Sequence, residues 1–193
     1  MNWLINILLP FIVELPFIVE SASNSIEQKL IRHLLHNSNK LVRPVMVSDR
    51  PTTVTVHMEL IQILDIDETK QELTCKFWTT QIWTNELMRW NASEWGGITR
   101  VTVHAHKIWV PDLTLYNNAG NSPSAGVDLY KTSISMHSNG THEWLAPALY
   151  RSTCQFDITH FPFDAQECHL KFGSWLFDSR YDAHLCFSLL SQG

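Results

Sequence analysis

Residues 54–88 read VTVHMELIQILDIDETKQELTCKFWTTQIWTNELM. Val54, Val56, Met58 and Leu60 alternate with polar residues, and Ile61 and Ile63 continue the apolar series. The polar stretch Asp65-Ile66-Asp67-Glu68-Thr69-Lys70 follows, and a second strand-like run covers Leu73 to Met88. A period of two sends successive side chains to opposite faces of a half-buried strand. Two such runs around a polar turn predict a long antiparallel hairpin.

Working outward, the period changes on the N-terminal side. Ile26, Leu30, Leu34 and Leu35 lie at helical spacing within Ser25–His36, with Ser25 placed as N-cap. On the C-terminal side, after Gly96-Gly97, the segments Val101–Val103 and Lys107–Val110 read as short strands and Asn117–Gly126 as a loop. Leu129–Met136, Glu143–Phe156 and Cys168–Trp175 are further strand candidates. Repeated strands with turn signals and almost no helical periodicity past residue 40 predict an all-β, immunoglobulin-like β-sandwich with a short N-terminal helix. No internal repeat, low-complexity tract or linker splits the chain, and 193 residues fit one domain with short tails.

Composition excludes several function classes. Hydrophobic residues make up 45% and charged residues 17%, enough for a core and incompatible with wholesale disorder. The net charge of −5 argues against a nucleic-acid partner, which wants a basic stripe, so none is expected. There is no G-x-S-x-G elbow, phosphate-cradling glycine loop or H-E-x-x-H, so no enzyme is expected. His104 and His106 would share one face of a strand, half of a metal site, but no third ligand accompanies them, so neither metal nor cofactor is expected. Eight tryptophans are a heavy load. Trp brings large apolar area, one N–H, and the best π-face for holding a cation; Trp78, Trp83 and Trp90 lie on or just after the second long strand.

Trp3 to Val19 is apolar except for Asn6, Glu14 and two prolines, and it ends at the small residues Ser21-Ala22-Ser23. Although no Lys or Arg precedes Lys29, residues 1–23 read as a secretory signal peptide. A mid-span carboxylate and two prolines argue against a membrane anchor, and no later run approaches 18 apolar residues. Export permits disulfides, and Cys75, Cys154, Cys168 and Cys186 allow three pairings. Cys154 and Cys168 enclose 13 residues around the turn Phe161-Pro162-Phe163-Asp164. Cys75 and Cys186 either pair or stay free. The sequons at Asn91 and Asn139 are glycan acceptors in a secreted chain.

The loop Cys154-QFDITHFPFDAQE-Cys168 resembles the signature of the Cys-loop, or pentameric ligand-gated, receptors. Arg43-Pro44-Val45, Leu64 to Glu68, Phe77-Trp78, Trp83-Thr84, Trp90-Asn91, Ile108 to Asp112, Leu115 to Asn117 and Lys171 to Trp175 stand around it in order. Together they resemble the extracellular domain of nicotinic acetylcholine receptor subunits and the related soluble acetylcholine-binding proteins. The resemblance implies a disulfide between Cys154 and Cys168, a helix followed by a ten-stranded sandwich, and a ring of five subunits with agonist between neighbours.

Carried over by position, Tyr116 and Trp175 match aromatics of the principal binding face. Trp78 and Leu145 match the complementary face, the ligand's amine being held by cation–π attraction. Asp65 and Asp67, in the turn to Lys70, and Phe161, Pro162, Phe163 and Asp164 match the two loops that couple to the membrane domain. Trp83, Trp90, Trp109 and Asp112 match scaffold positions. The resemblance covers 24–175 as the ligand-binding domain. Beyond Trp175, residues 176–193 are a divergent tail, without the family's third binding loop, last strands or pore helices. An incomplete sandwich, with an open sheet edge and an uncovered apolar face, is the expected consequence.

The implied function is an extracellular, acetylcholine-like ligand-binding domain of a ligand-gated ion-channel subunit. The alternative is a secreted acetylcholine-binding or subunit-modulating protein without channel activity. The implied partners are a cationic small-molecule neurotransmitter and homologous subunits in a pentamer. The implied location is the secretory pathway and the extracellular side of the plasma membrane, or outside the cell if the chain is secreted.

Overall fold

Strands β1 (Val54–Asp67) and β2 (Glu72–Thr84) form the expected hairpin, pairing antiparallel from Val54 opposite Trp83 to Asp67 opposite Glu72. The computed structural model describes residues 24–36, 38–120, 132–159, 163–174 and 185–191. Within them follow β3 (Arg100–His104), β4 (Leu113–Leu115), β5 (Ser133–His137), β6 (Thr141–Thr153), β7 (Gln166–Ser174) and β8 (Leu185–Ser191). The five-stranded sheet has the order β1-β2-β6-β5-β3, and the three-stranded sheet β4-β7-β8. The architecture is the all-β, immunoglobulin-like sandwich expected from the alternation.

Parity decides which residues build the core. Leu73, Cys75, Phe77, Thr79, Gln81 and Trp83 on β2 are buried, as are His142, Trp144, Ala146, Ala148 and Tyr150 on β6. The two sheets meet through aromatic rings. Tyr150 packs on Phe77 of its own sheet at 5.9 Å and edge-on against Phe172 of β7 at 4.9 Å. Offset and edge-on pairs are the favoured aromatic geometries. Helix α1 (Asn24–His36) buries Leu30 and Leu34, one helical turn apart, and the ring of His33 lies 5.4 Å from Trp95. The helix begins at Asn24, so Ser25 lies inside it rather than capping it.

Two sequence expectations change. Lys107–Val110 forms no strand. Ala105–Lys107 is a short 3-10 helix, and Ile108 and Trp109 are buried without strand pairing. Pro111 lacks an amide N–H and restricts Val110 before it, which shortens the ladder this segment could make. Within the tail, the backbone of Leu185–Ser191 pairs antiparallel with β7, Leu189 opposite Cys168. The signal-peptide assignment lies outside the described residues.

Strand β1 is an edge of its sheet. Its register shifts between Leu60 and Gln62 and between Ile63 and Asp65, so Ile61 and Leu64 are bulged residues. Leu60, Ile61, Ile63, Leu64 and Ile66 are each 39–49% exposed, an apolar stripe along this edge.

The β5–β6 turn closes on Gly140, whose φ of 90° lies in the region open to glycine. Its amide donates to His137 O at 2.8 Å, and its carbonyl accepts from Asn85 N at 2.8 Å and from His142 Nδ1 at 2.9 Å.

Candidate functional site

The outward faces of β1, β2 and β6 make one open groove. Parity that buries Phe77 and Thr79 turns Trp78 and Thr80 outward, and the same alternation on β6 turns Leu145 and Pro147 outward. In register, Glu59 of β1 lies opposite Trp78 and His57 opposite Thr80. On the other side Pro147 lies opposite Trp78 and Leu145 opposite Thr80. His57, Met58, Glu59, Trp78, Thr80 and Leu145 line a groove of about 360 Å³. Trp78 is 45% exposed and Leu145 55% exposed.

The other described tryptophans differ. Trp83, Trp90, Trp109 and Trp144 are buried, and Trp95 is half-buried against α1. Trp90 and Trp144 satisfy their indole N–H groups on Ile98 O at 2.7 Å and Thr132 Oγ1 at 2.6 Å. Trp83 packs edge-on against Trp109 at 6.1 Å and lies beside its cross-strand partner His142 at 5.6 Å. An exposed ring flanked by aliphatic side chains and a carboxylate suits a cation with apolar substituents. The groove is open on one side and covers only one face of such a ligand, so a second surface is needed to enclose it.

Tyr116 directly follows β4 of the other sheet and does not line this groove. β4 pairs with the end of β7, Leu113 opposite Ser174 and Leu115 opposite Phe172, which delivers Tyr116 to that strand end. Its amide donates to Lys171 O at 2.7 Å and its hydroxyl to Ser174 O at 2.6 Å, leaving the ring 44% exposed. Ser174 Oγ donates to Asp112 Oδ1 at 2.7 Å. Tyr116 is therefore bonded to the residue immediately before Trp175, which itself lies outside the described residues.

Sequence reasoning quoted Asn117 without giving it a role. Its Nδ2 donates to His169 O at 2.8 Å and Thr153 O at 3.1 Å, and its Oδ1 accepts from Lys171 N at 3.0 Å. One side chain thus ties the end of β4 to both sheets. Its position directly after Tyr116 was the available signal, because asparagine carries two N–H donors and a separate carbonyl acceptor on a short side chain.

At the opposite end of the hairpin, the β1–β2 turn and the Cys154–Cys168 loop form one unit. The disulfide joins two buried cysteines with Cα atoms 5.3 Å apart. Gln71, at φ 58°, accepts from Cys154 N through its carbonyl at 2.9 Å and from Phe156 N through Oε1 at 2.6 Å. Its Nε2 donates to Glu68 O at 2.7 Å. Gln71 was missed; glutamine is not a residue type that announces a left-handed position.

Arg151 pairs with Glu72 beside it. Asp67 accepts from Lys70 Nζ at 2.6 Å, and that hydrogen bond holds its carboxyl below the usual aspartate value. Asp65 is exposed on the same strand, two residues before Asp67. Asp164 accepts from Gln166 Nε2 at 2.5 Å, and Phe163 is 93% exposed. Phe161 and Pro162 lie outside the described residues.

Cys75 is a free, buried thiol that burial pushes up to about 11. Asn91 and Asn139 are both exposed, each accepting from a backbone amide two residues on. His106 does not share a strand with His104. It sits in the 3-10 helix, its ring stacked on that of His104 at 5.7 Å, while His104 Nδ1 bonds Ser133 Oγ at 3.1 Å. No helix among the described residues is long and apolar enough to cross a membrane.

A family model described as neurotransmitter-gated ion-channel ligand binding domain matches residues 27–185. Human neuronal acetylcholine receptor subunit beta-3 is 38% identical over 170 residues, covering 86% of this chain and 36% of the relative. Human neuronal acetylcholine receptor subunit alpha-2 is 38% identical over 152 residues, 79% of this chain and 28% of the relative. The acetylcholine receptor subunit alpha-type unc-38 of Caenorhabditis elegans is 37% identical over 175 residues, 91% of this chain and 33% of the relative. The chain thus spans about a third of the length of the curated relatives it matches.

Proposed function

Because the chain belongs to the family of neurotransmitter-gated ion-channel ligand-binding domains, we propose that it binds a cationic, acetylcholine-like neurotransmitter at interfaces between receptor subunits. Trp78 and Leu145 form the complementary half of a site, and Tyr116 with Trp175 forms the principal half. Each chain carries two half-sites, and neighbours in a pentamer complete them. The relatives that match are named acetylcholine receptor subunits, which supports the choice of transmitter.

The observation that carries this reading is the exposure of Trp78 in an open, one-sided groove while four other tryptophans are buried. A buried scaffold ring would show its edge to a core. Here the ring lies on a surface that lacks its second wall.

The rest of the reading follows the same lines. Residues 1–23 are a signal peptide, 24–175 the ligand-binding domain and 176–193 a divergent tail. Asn91 and Asn139 carry glycans on the extracellular side. Asp65, Asp67, Phe161, Pro162, Phe163 and Asp164 face a membrane domain and pass on the consequence of binding. The link through Gln71 supports a joint role for the two loops.

Saturation binding of radiolabelled acetylcholine to cells co-expressing the full chain with a related full-length subunit tests the proposal. A cation–π contact contributes up to about 2 kcal/mol when desolvated, so Trp78→Ala and Trp175→Ala are each expected to weaken binding by about tenfold or more. Saturable binding that neither substitution alters would refute the assignment, as would no binding beyond that of the partner subunit alone.

A further inference from the structure

The ligand contacts proposed above use Trp78 and Leu145 and assign none to Glu59, the carboxylate of the groove. It lies directly opposite Trp78 across the β1–β2 ladder and lines the same groove. Directly opposed residues on one sheet face stand about 5 Å apart at Cβ. Among the described residues Glu59 makes no hydrogen bond or ion pair, and neither does Lys76, the cation beside Trp78 on the same face of β2. A carboxylate thus stands beside an exposed tryptophan with no cation of the described residues paired to it.

We propose that Glu59 is a second cation anchor of this half-site: its carboxylate engages a quaternary or protonated amine while the face of Trp78 holds it, so the groove selects charged ligands over neutral ones of the same shape. The inference rests on the reading of the groove as a ligand-binding face. At an exposed site the ring's attraction for a cation is worth only about 0.5–1 kcal/mol, about two- to fivefold in affinity, a modest preference for charge. The carboxylate adds a second, independent preference. In a partly wet groove, a unit charge about 5 Å away changes affinity by about three- to tenfold. Thr80 and Leu145 close the apolar side and offer no competing charge.

The test uses the full chain labelled with 5-fluorotryptophan, the Trp78 resonance being assigned by Trp78→Phe. Choline and its uncharged carbon isostere, 3,3-dimethylbutan-1-ol, are titrated in turn. Choline is expected to shift the Trp78 resonance at lower concentration than the alcohol. Glu59→Gln is expected to weaken choline about three- to tenfold and to leave the alcohol unchanged. Glu143→Gln serves as the control: Glu143 shares the outer face on β6 but does not line the groove, and it should leave both titrations unchanged.

Unchanged choline affinity in Glu59→Gln, with a Trp78 response retained, overturns the role of Glu59 and spares the reading of the groove. An equal loss in Glu143→Gln overturns it too, by assigning the effect to the general field of the face. A Trp78 resonance that ignores choline overturns the reading of the groove and this inference with it.

Discussion

Replacing Gly140 with alanine should cost more than its place in a short turn implies, because the residue is buried there. At φ 90° a side chain is strained whatever the space, worth about 1–2 kcal/mol. The added Cβ would also stand 2.5 Å from the backbone oxygen of Asn85 and 2.9 Å from Cγ and Nε of Arg89. Arg89 can swing away, but Asn85 cannot. Its amide donates to Gly140 O at 2.8 Å, its Oδ1 accepts from Leu87 N at 3.0 Å, and the residue is buried. Relieving the contact means opening that backbone bond, about 1 kcal/mol more.

The expected total is about 2–3 kcal/mol, or a melting temperature lower by about 5–10 °C for a chain of this size. Gly97→Ala isolates the conformational term, because Gly97 has φ 84° and nothing within 4 Å of an added Cβ. It should lose only about 1–2 kcal/mol. Thermal melts and urea titrations followed by circular dichroism measure both. If the two variants melt within about 2 °C of each other, the steric half of the reasoning is refuted.

Three further outcomes follow from buried groups. Burial lowers the basicity of the His142 imidazole, so below pH 6.5 the unfolded chain binds a proton that the folded chain resists. Stability should therefore fall as pH drops below that value, by up to about 1.4 kcal/mol per pH unit; His142→Asn should remove that slope, and equal urea midpoint shifts between pH 7.5 and 5.5 in both chains would contradict it. Cys154→Ser, with Cys168→Ser, opens a loop of about 15 residues and should cost about 3 kcal/mol in urea unfolding. Cys75, pushed up to about 11 by burial, should resist iodoacetamide at pH 8 in the folded chain and react on denaturation, as read by mass spectrometry of its peptide. Rapid labelling of native protein would show that strands β1 and β2 open there.

The hairpin was legible because period-two alternation follows from backbone geometry alone, and parity put Phe77 inward and Trp78 outward. The two bulges were written in the sequence as the apolar doublets Leu60-Ile61 and Ile63-Leu64, where alternation breaks and register shifts. Lys107–Val110 misled because buried apolar residues outside a ladder look like a short strand, and only the tertiary packing of Ile108 and Trp109 tells them apart.

In the candidate site, Trp78, Leu145 and Tyr116 were found by resemblance, whereas Glu59 and His57 required the β1–β2 register to appear beside Trp78. Gln71 and Asn117 escaped for a related reason. Each satisfies backbone groups distant in the chain, and no local pattern encodes a partner dozens of residues away.

The uneven burial of the tryptophans has an optical consequence. Trp83, Trp90, Trp109 and Trp144 sit in a dry interior, where indole emission is blue and iodide cannot collide with the excited ring. Trp78 stands in water at the groove, so among these rings it supplies the red, collisionally quenched emission. Any surface that comes to cover the groove would darken neither the core signal nor its lifetime, but it would shield this one ring from iodide. The chain thus carries its own fluorescent gauge of whether the groove is covered.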